Sequence, residues 1–201
     1  MIPENSSLTP SQDATRNTIL EASRDLFARF GYKKTTMEDI ANALRKGKSS
    51  LYYYFKNKEE IFMAVVQMES DMLYSKLQEV VNSSKDADDK LREYVVVRMN
   101  TIASLENYQR VLKEDLYGGY EFLGSIKKDA EDKEEIFLEQ VLSEGVASDI
   151  FHVKNVRVGA VGISTALRGL EIPLFKKGGE ADFNTQLENI LNILFYGVLK
   201  R

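Results

Sequence analysis

Residues 33–60 read KKTTMEDIANALRKGKSSLYYYFKNKEE, and this stretch decides the fold. Thr35 with Glu38 and Thr36 with Asp39 each fit a capping box, in which a hydroxyl accepts from the backbone N–H three residues on while the acidic side chain reaches back. Met37, Ile40, Ala41 and Leu44 then recur at helical spacing, so a short helix begins here with either threonine as its cap. Arg45, Lys46 and Gly47 follow, the length of a helix-turn-helix turn; Gly47 is able to take a positive φ or to cap without a side chain. A second helix starts near Lys48. Leu51 and Phe55 lie one turn apart and point inward, leaving Lys48, Ser49, Ser50, Tyr53 and, at the margin, Tyr52 outward, each a hydrogen-bond donor. Asn57 with Glu60 caps the next helix. Lys58 stands in its first turn, where a cation gains nothing from the helix dipole and therefore points to an external anion.

The charge balance agrees. From Arg29 to Lys58 there are eight basic and two acidic residues, a local +6 in a chain whose formal total is −4. Residues 61–201 carry 17 basic and 23 acidic groups, so the sequence pI near 5.3 hides a basic unit suited to phosphate. A solvated hairpin can also be rich in lysine. Caps, turn, spacing and a hydroxyl-rich outer face together favour a DNA-reading unit over that plainer alternative.

These residues resemble the N-terminal DNA-binding domain of the tetracycline-repressor (TetR) family of bacterial transcription regulators. The resemblance extends back through Ile19, Leu20, Ala22, Leu26, Phe27 and Gly31, then takes in Thr36, Asp39, Ile40, Ala41, Leu51, Tyr52, Phe55, Lys58 and Glu59, about fifty residues. It implies base or phosphate contacts from Lys48, Ser49, Ser50 and Tyr53, and phosphate contacts from Thr36, Tyr52 and Lys58. Two departures stand out. The family usually carries Ala-Gly-Val-Ser where this chain has Leu44-Arg45-Lys46-Gly47, and Tyr54 replaces a common histidine.

The chain has 201 residues, 43% apolar and 29% charged, enough for a full core. With no cysteine, disulfides, thiol catalysis and thiolate metal sites drop out, and a single histidine, His152, leaves no pair for zinc, so no cofactor and no metal are expected. His152 reads as a surface or capping residue. The start of the sequence lacks a basic, apolar leader and no run of eighteen apolar residues occurs, so a cytoplasmic protein without a membrane partner is expected.

Along the chain the expectation is all-α, about nine helices: an N-terminal three-helix helix-turn-helix domain over 9–56 and a helical ligand-binding and dimerisation domain over 57–201. Residues 1–8 read as a loose tail. Thr9, Pro10 and Gln12 open the first helix, with Asp13 as an alternative start; Ile19, Ala22, Ser23, Leu26, Phe27 and Phe30 form its inward stripe, and Gly31 ends it. A long helix from Asn57 meets no breaker before Asn82 and can carry motion towards the DNA end. Helices follow near 86–104, 106–117, 120–147, 154–171 and 183–199, with Gly118-Gly119 and Gly178-Gly179 as breaks.

Met99, Tyr108, Leu112, Tyr117, Tyr120, Phe122, Phe137 and Phe151 supply the apolar lining and phenols for an apolar or amphipathic small-molecule effector, although plain core explains most of such a set. Val156, Gly159, Ala160, Ile163 and Leu167, with Leu187, Ile190, Leu191, Leu194, Phe195 and Val198, exceed what one partner covers. Paired with their copies, as the resemblance implies, they form the four-helix interface of a homodimer. The acidic run Glu131, Asp132, Glu134 and Glu135 reads as a solvated face without a nucleophile, so no enzyme is expected. These expectations describe a repressor that holds an inverted-repeat operator on double-stranded DNA as a homodimer and lets go when an effector binds. The alternative is an all-helical adaptor for another protein.

Overall fold

The computed structural model describes residues 9–115, 120–176 and 180–196, without the side chains of 113–115, 171–176, 180–182, 184, 190 and 194. Residues 1–8, Tyr117, both Gly-Gly breaks and Val198 lie outside the described residues, as do the side chains of Ile190 and Leu194. Among the described residues there are nine α-helices, one 3-10 turn and no strand. None of these helices is long and apolar enough to cross a membrane.

The chain divides into two compact units, Met1–Glu69 and Ser70–Arg201. In the first, α1 (Pro10–Phe30) opens on a full capping box: Gln12 N donates to the Thr9 hydroxyl and Thr9 N donates to Gln12 Oε1 at 2.8 Å, with Pro10 at N1. It closes at Gly31, whose φ of 81° is one that side chains avoid. Ile19, Leu20, Ser23 and Phe27 are buried, whereas Phe30 is 48% exposed beneath the Arg29 guanidinium, so the inward stripe ends one turn earlier than its spacing suggests. Then come α2 (Met37–Ala43), α3 (Lys48–Tyr54) and α4 (Lys58–Val81).

The unit boundary falls inside α4 and not at 56/57, because the first turns of α4 belong to the N-terminal core. Ile61, Phe62 and Val65 are buried, the Phe62 ring meets Phe27 edge-on at 5.0 Å, and Arg24 pairs with buried Glu69 at 2.9 Å. A short helical hairpin cannot bury its apolar face alone, and these turns of α4 complete its core.

In the second unit α4 continues, followed by α5 (Ala87–Ser104), α6 (Glu106–Asp115), the 3-10 turn Glu121–Leu123, α7 (Gly124–Ala147), α8 (Val156–Lys176) and α9 (Glu180–Tyr196). The predicted helices from 86 to 147 agree to within a few residues. Helix α8 extends five residues past its predicted end, through Pro173. Its core is built from Leu73, Leu77, Met99, Ile102, Leu138 and Val141, each almost wholly buried.

Candidate nucleic-acid interface

Helix α2 is capped by Thr36. Its hydroxyl accepts from Asp39 N at 3.2 Å, and the Asp39 carboxylate accepts from Thr36 N at 2.8 Å and from the Thr36 hydroxyl at 2.7 Å. Those bonds hold the Asp39 carboxyl below its ordinary value. Thr35 is not the cap, because its buried hydroxyl donates to Gly31 O at 2.8 Å and closes the turn after α1.

The turn into α3 shows what the local sequence left open. Arg45 N donates to Asn42 O and Lys46 N donates to Ala41 O, each at 3.0 Å, the paired bonds of a Schellman motif. In that motif the residue after the C-cap is left-handed, and here it is Arg45, at φ 52°. A side chain in this conformation costs about 1 kcal/mol, which is why glycine is the usual occupant. Gly47 instead sits at φ −71° as the N-cap of α3, so of its two predicted roles it takes the cap without a side chain.

Leu51 and Phe55 are buried and hold α3 on the unit, leaving its other face in solvent. Ser49 is exposed, Ser50 half-buried, and Tyr52 and Tyr53 are largely exposed. The Tyr53 phenol accepts from Gln12 Nε2 at 2.7 Å and its ring meets Tyr54 edge-on at 4.9 Å, so it is oriented by the start of α1. Lys48 donates to Glu38 at 2.8 Å, which raises its pKa; both groups face water, where such a pair holds weakly. Lys58 is more tightly engaged. Its ammonium donates to Tyr32 O at 2.7 Å and lies 4.3 Å from the Tyr32 ring centre, and partial burial lowers its pKa. Thr36, Lys48, Ser49, Ser50, Tyr52 and Tyr53 thus all retain exposure on the α2–turn–α3 unit, and Lys58 stands at the start of α4, bound to the turn after α1.

A family model described as "Bacterial regulatory proteins, tetR family" matches residues 19–65, from the middle of α1 into α4. Over those residues the chain is similar to the TetR family. It is 31% identical over 101 residues to the probable acrEF/envCD operon repressor of Escherichia coli K12, a match covering 49% of this chain and 46% of the relative. The chain thus spans less than half the length of that relative. The fold is shared more widely. The fatty acid degradation regulator FadR from Bacillus halodurans superposes with a TM-score of 0.76 at 20% identity, covering 98% of this chain and all of that one. FadR from Bacillus subtilis, solved with stearoyl-CoA, gives 0.75 at 20% identity, covering 91% and 99%.

In the C-terminal unit the residues expected to line an effector site divide. Met99, Tyr108, Tyr120 and Phe137 are buried, and Leu112, Phe122 and Phe151 are half-buried. Tyr120 meets Phe122, Phe137 meets Tyr74, and Phe151 lies on Gly145 so closely that a Cβ there would come within 2.0 Å of its ring. Phe151 is thereby committed to the end of α7.

Sequence reasoning missed the polar centre of the unit. Arg98 on α5 makes two hydrogen bonds to Glu134 on α7, and Ser164 on α8 donates to Glu134 Oε2 at 3.0 Å, all three residues buried. Glu134 therefore does not share the solvated face of Glu131 and Asp132, because its position on α7 turns inward. The nearby Tyr74 phenol donates to Ala130 O at 2.7 Å, while the Tyr94 hydroxyl is fully buried and finds no partner among the described residues. Burial pushes both phenols far above the ordinary tyrosine range, so they remain neutral. The one signal in the sequence was Tyr94 and Arg98 one turn apart among Leu91, Val95, Met99 and Ile102 of α5.

The residues expected at a dimer face divide as well. Ala160, Leu167, Leu187 and Leu191 are buried in the protomer's own core, and Val156, Gly159, Ile163 and Phe195 are half-buried, with Gly159 packed on Val153 and Leu142. Buried side chains offer no area to a partner. The exposed stripe of α8 is Val158, Val161, Gly162, Thr165 and Gly169, at helical spacing, and α9 exposes Ile193 and Tyr196. His152 is exposed before α8, where Asn155 Oδ1 accepts from Val158 N.

Proposed function

We propose that the chain is a cytoplasmic transcriptional repressor that binds an inverted-repeat operator as a homodimer and is released by an amphipathic small molecule. The observation that carries this reading is α3, a helix anchored by Leu51 and Phe55 whose opposite face presents Lys48, Ser49, Tyr52 and Tyr53 from the most basic segment of an acidic chain. A helix so mounted enters a major groove, phosphate contacts orient it, and two copies require a palindromic site. Thr36, Ser50 and Lys58 complete the contact set.

The exposed Val158, Val161, Gly162, Thr165 and Gly169 stripe of α8, with Ile193 and Tyr196 of α9, is the dimer surface under this proposal, since it presents small and apolar groups with nothing over them in the protomer. For the effector, stearoyl-CoA bound by B. subtilis FadR supports a molecule with a long apolar chain, and the buried aromatic groups around Met99 and Phe137 suit one. Tyr94 and the Arg98–Glu134 pair would meet its polar end. Such a ligand biases α4, a helix to which both units contribute, and a coupling of about 1 to 3 kcal/mol lowers operator affinity about 5- to 150-fold.

Duplex binding measured across a range of salt tests the reading. Affinity should fall steeply and log-linearly with salt, and Val158→Glu should give folded monomers that bind the operator poorly. A chain that ignores duplex DNA at low salt is an adaptor, not a repressor.

A further inference from the structure

The basic stretch from Arg29 to Lys58 does not present its charges equally. Lys48 is paired with Glu38, Lys58 with the Tyr32 carbonyl and ring, Arg29 covers Phe30, and Lys56 stands 3.9 Å from Glu60. Among the described residues no acceptor or ring engages the side chains of Lys33, Lys34, Arg45 or Lys46, and all four are exposed. Arg45 differs from the other three in one respect: its backbone is left-handed. The Schellman turn requires that conformation, glycine adopts it freely, and an arginine there works against the fold. The same turn fixes Arg45 three residues before Lys48, beside the N-terminal end of α3, the end that reaches the bases in a helix-turn-helix complex.

We propose that Arg45 is a DNA-phosphate contact at the mouth of the recognition helix, held in place by the turn and retained for its guanidinium despite its backbone. Two parallel N–H groups on a rigid plane match a phosphate's oxygens, and an exposed, unengaged guanidinium breaks no internal pair when it binds. The inference rests on the DNA-binding reading and adds a residue to it. It also places part of the salt-dependent affinity in the turn, not in the helix.

Arg45→Gly and Arg45→Lys test it, titrated against two unrelated duplexes of about 40 base pairs over several salt concentrations, with thermal unfolding in parallel. Arg45→Gly should unfold at the same or a higher temperature. Its affinity should fall about eightfold at 0.1 M salt on both duplexes, and its log-log salt slope should flatten by about one unit. Arg45→Lys should keep the slope. Wild-type affinity and slope in Arg45→Gly overturn the proposal. A lowered unfolding temperature that accompanies weaker binding assigns Arg45 to the fold and overturns it, and a loss confined to one duplex makes it a base contact and overturns it too. If the wild-type chain binds neither duplex, the DNA-binding reading fails first and carries this inference with it.

Discussion

The two units are held together at different ranges of sequence. In the N-terminal unit the decisive polar contacts are local: Thr9 with Gln12, Thr36 with Asp39 and Asn57 with Glu60 are all three residues apart, and they set where α1, α2 and α4 begin. In the C-terminal unit the decisive polar contacts join distant segments. Arg98 and Glu134 are 36 positions apart, Glu134 and Ser164 are 30, and the Tyr74 phenol reaches a carbonyl 56 positions on. The exposed face of α3 can therefore be read from a window of thirty residues, while the buried polar cluster exists only after α4, α5, α7 and α8 have packed. The energetic consequence differs as well. Losing a cap frays one helix, but losing one member of a buried ion pair strands a charge.

The largest expected effect follows from that contrast. Glu134→Ala removes the buried carboxylate that the Arg98 guanidinium and the Ser164 hydroxyl share and should destabilise the C-terminal unit by about 3 to 5 kcal/mol, whereas Arg98→Met combined with Glu134→Leu should recover most of the loss. Denaturant unfolding of the three proteins reads this directly. A cost below about 1 kcal/mol for Glu134→Ala would mean that water reaches the pair and that the long-range network is not what holds the unit.

A smaller effect belongs to the N-terminal unit. Thr36→Ala removes the cap of α2 and should cost about 1 kcal/mol, with faster amide exchange confined to the first turn of that helix. Exchange that quickens equally in α7 would show that the contrast between local and distant contacts is drawn too sharply.

The smallest effect is a pH dependence. Bonds from Thr36 depress the Asp39 carboxyl in the folded state, so the unfolded chain binds the proton first as pH falls. The stabilisation it gives is complete above the ordinary carboxylate value, near 3.9, and is lost as pH falls through the lower folded value. The stability difference between wild type and Asp39→Ala should therefore be constant near neutrality and shrink at the acid end. A difference that stays constant to the lowest pH at which the protein folds would remove the carboxylate from the cap.

Much of the candidate interface was legible because its signals are local. Leu51 and Phe55 inward, Ser49 and Tyr53 outward, and Asn57 as a cap all follow from helical spacing and side-chain chemistry within a few residues. What stayed open there was a choice between neighbours. Thr35 and Thr36 offer the same hydroxyl, and the decision came from Gly31, whose carbonyl takes the Thr35 proton. Gly47 looked free to turn left-handed, yet the Schellman bonds put that conformation on Arg45.

By itself, then, the sequence determined the helical class, the cap of α4 and the buried and exposed faces of α3, since each rests on contacts between a residue and those within about four positions of it. Only the tertiary structure decided that Glu134 leaves the acidic surface run to pair with Arg98. It also decided that Phe30 faces water, and that Ala160, Leu167, Leu187 and Leu191 fill the protomer's own core while Val158 and Val161 stand outside it. Spacing shows that a helix has an apolar face, but an amphipathic pattern names no partner. Which side is buried, and which polar group goes in with it, depends on helices that the chain brings back from thirty or more residues away.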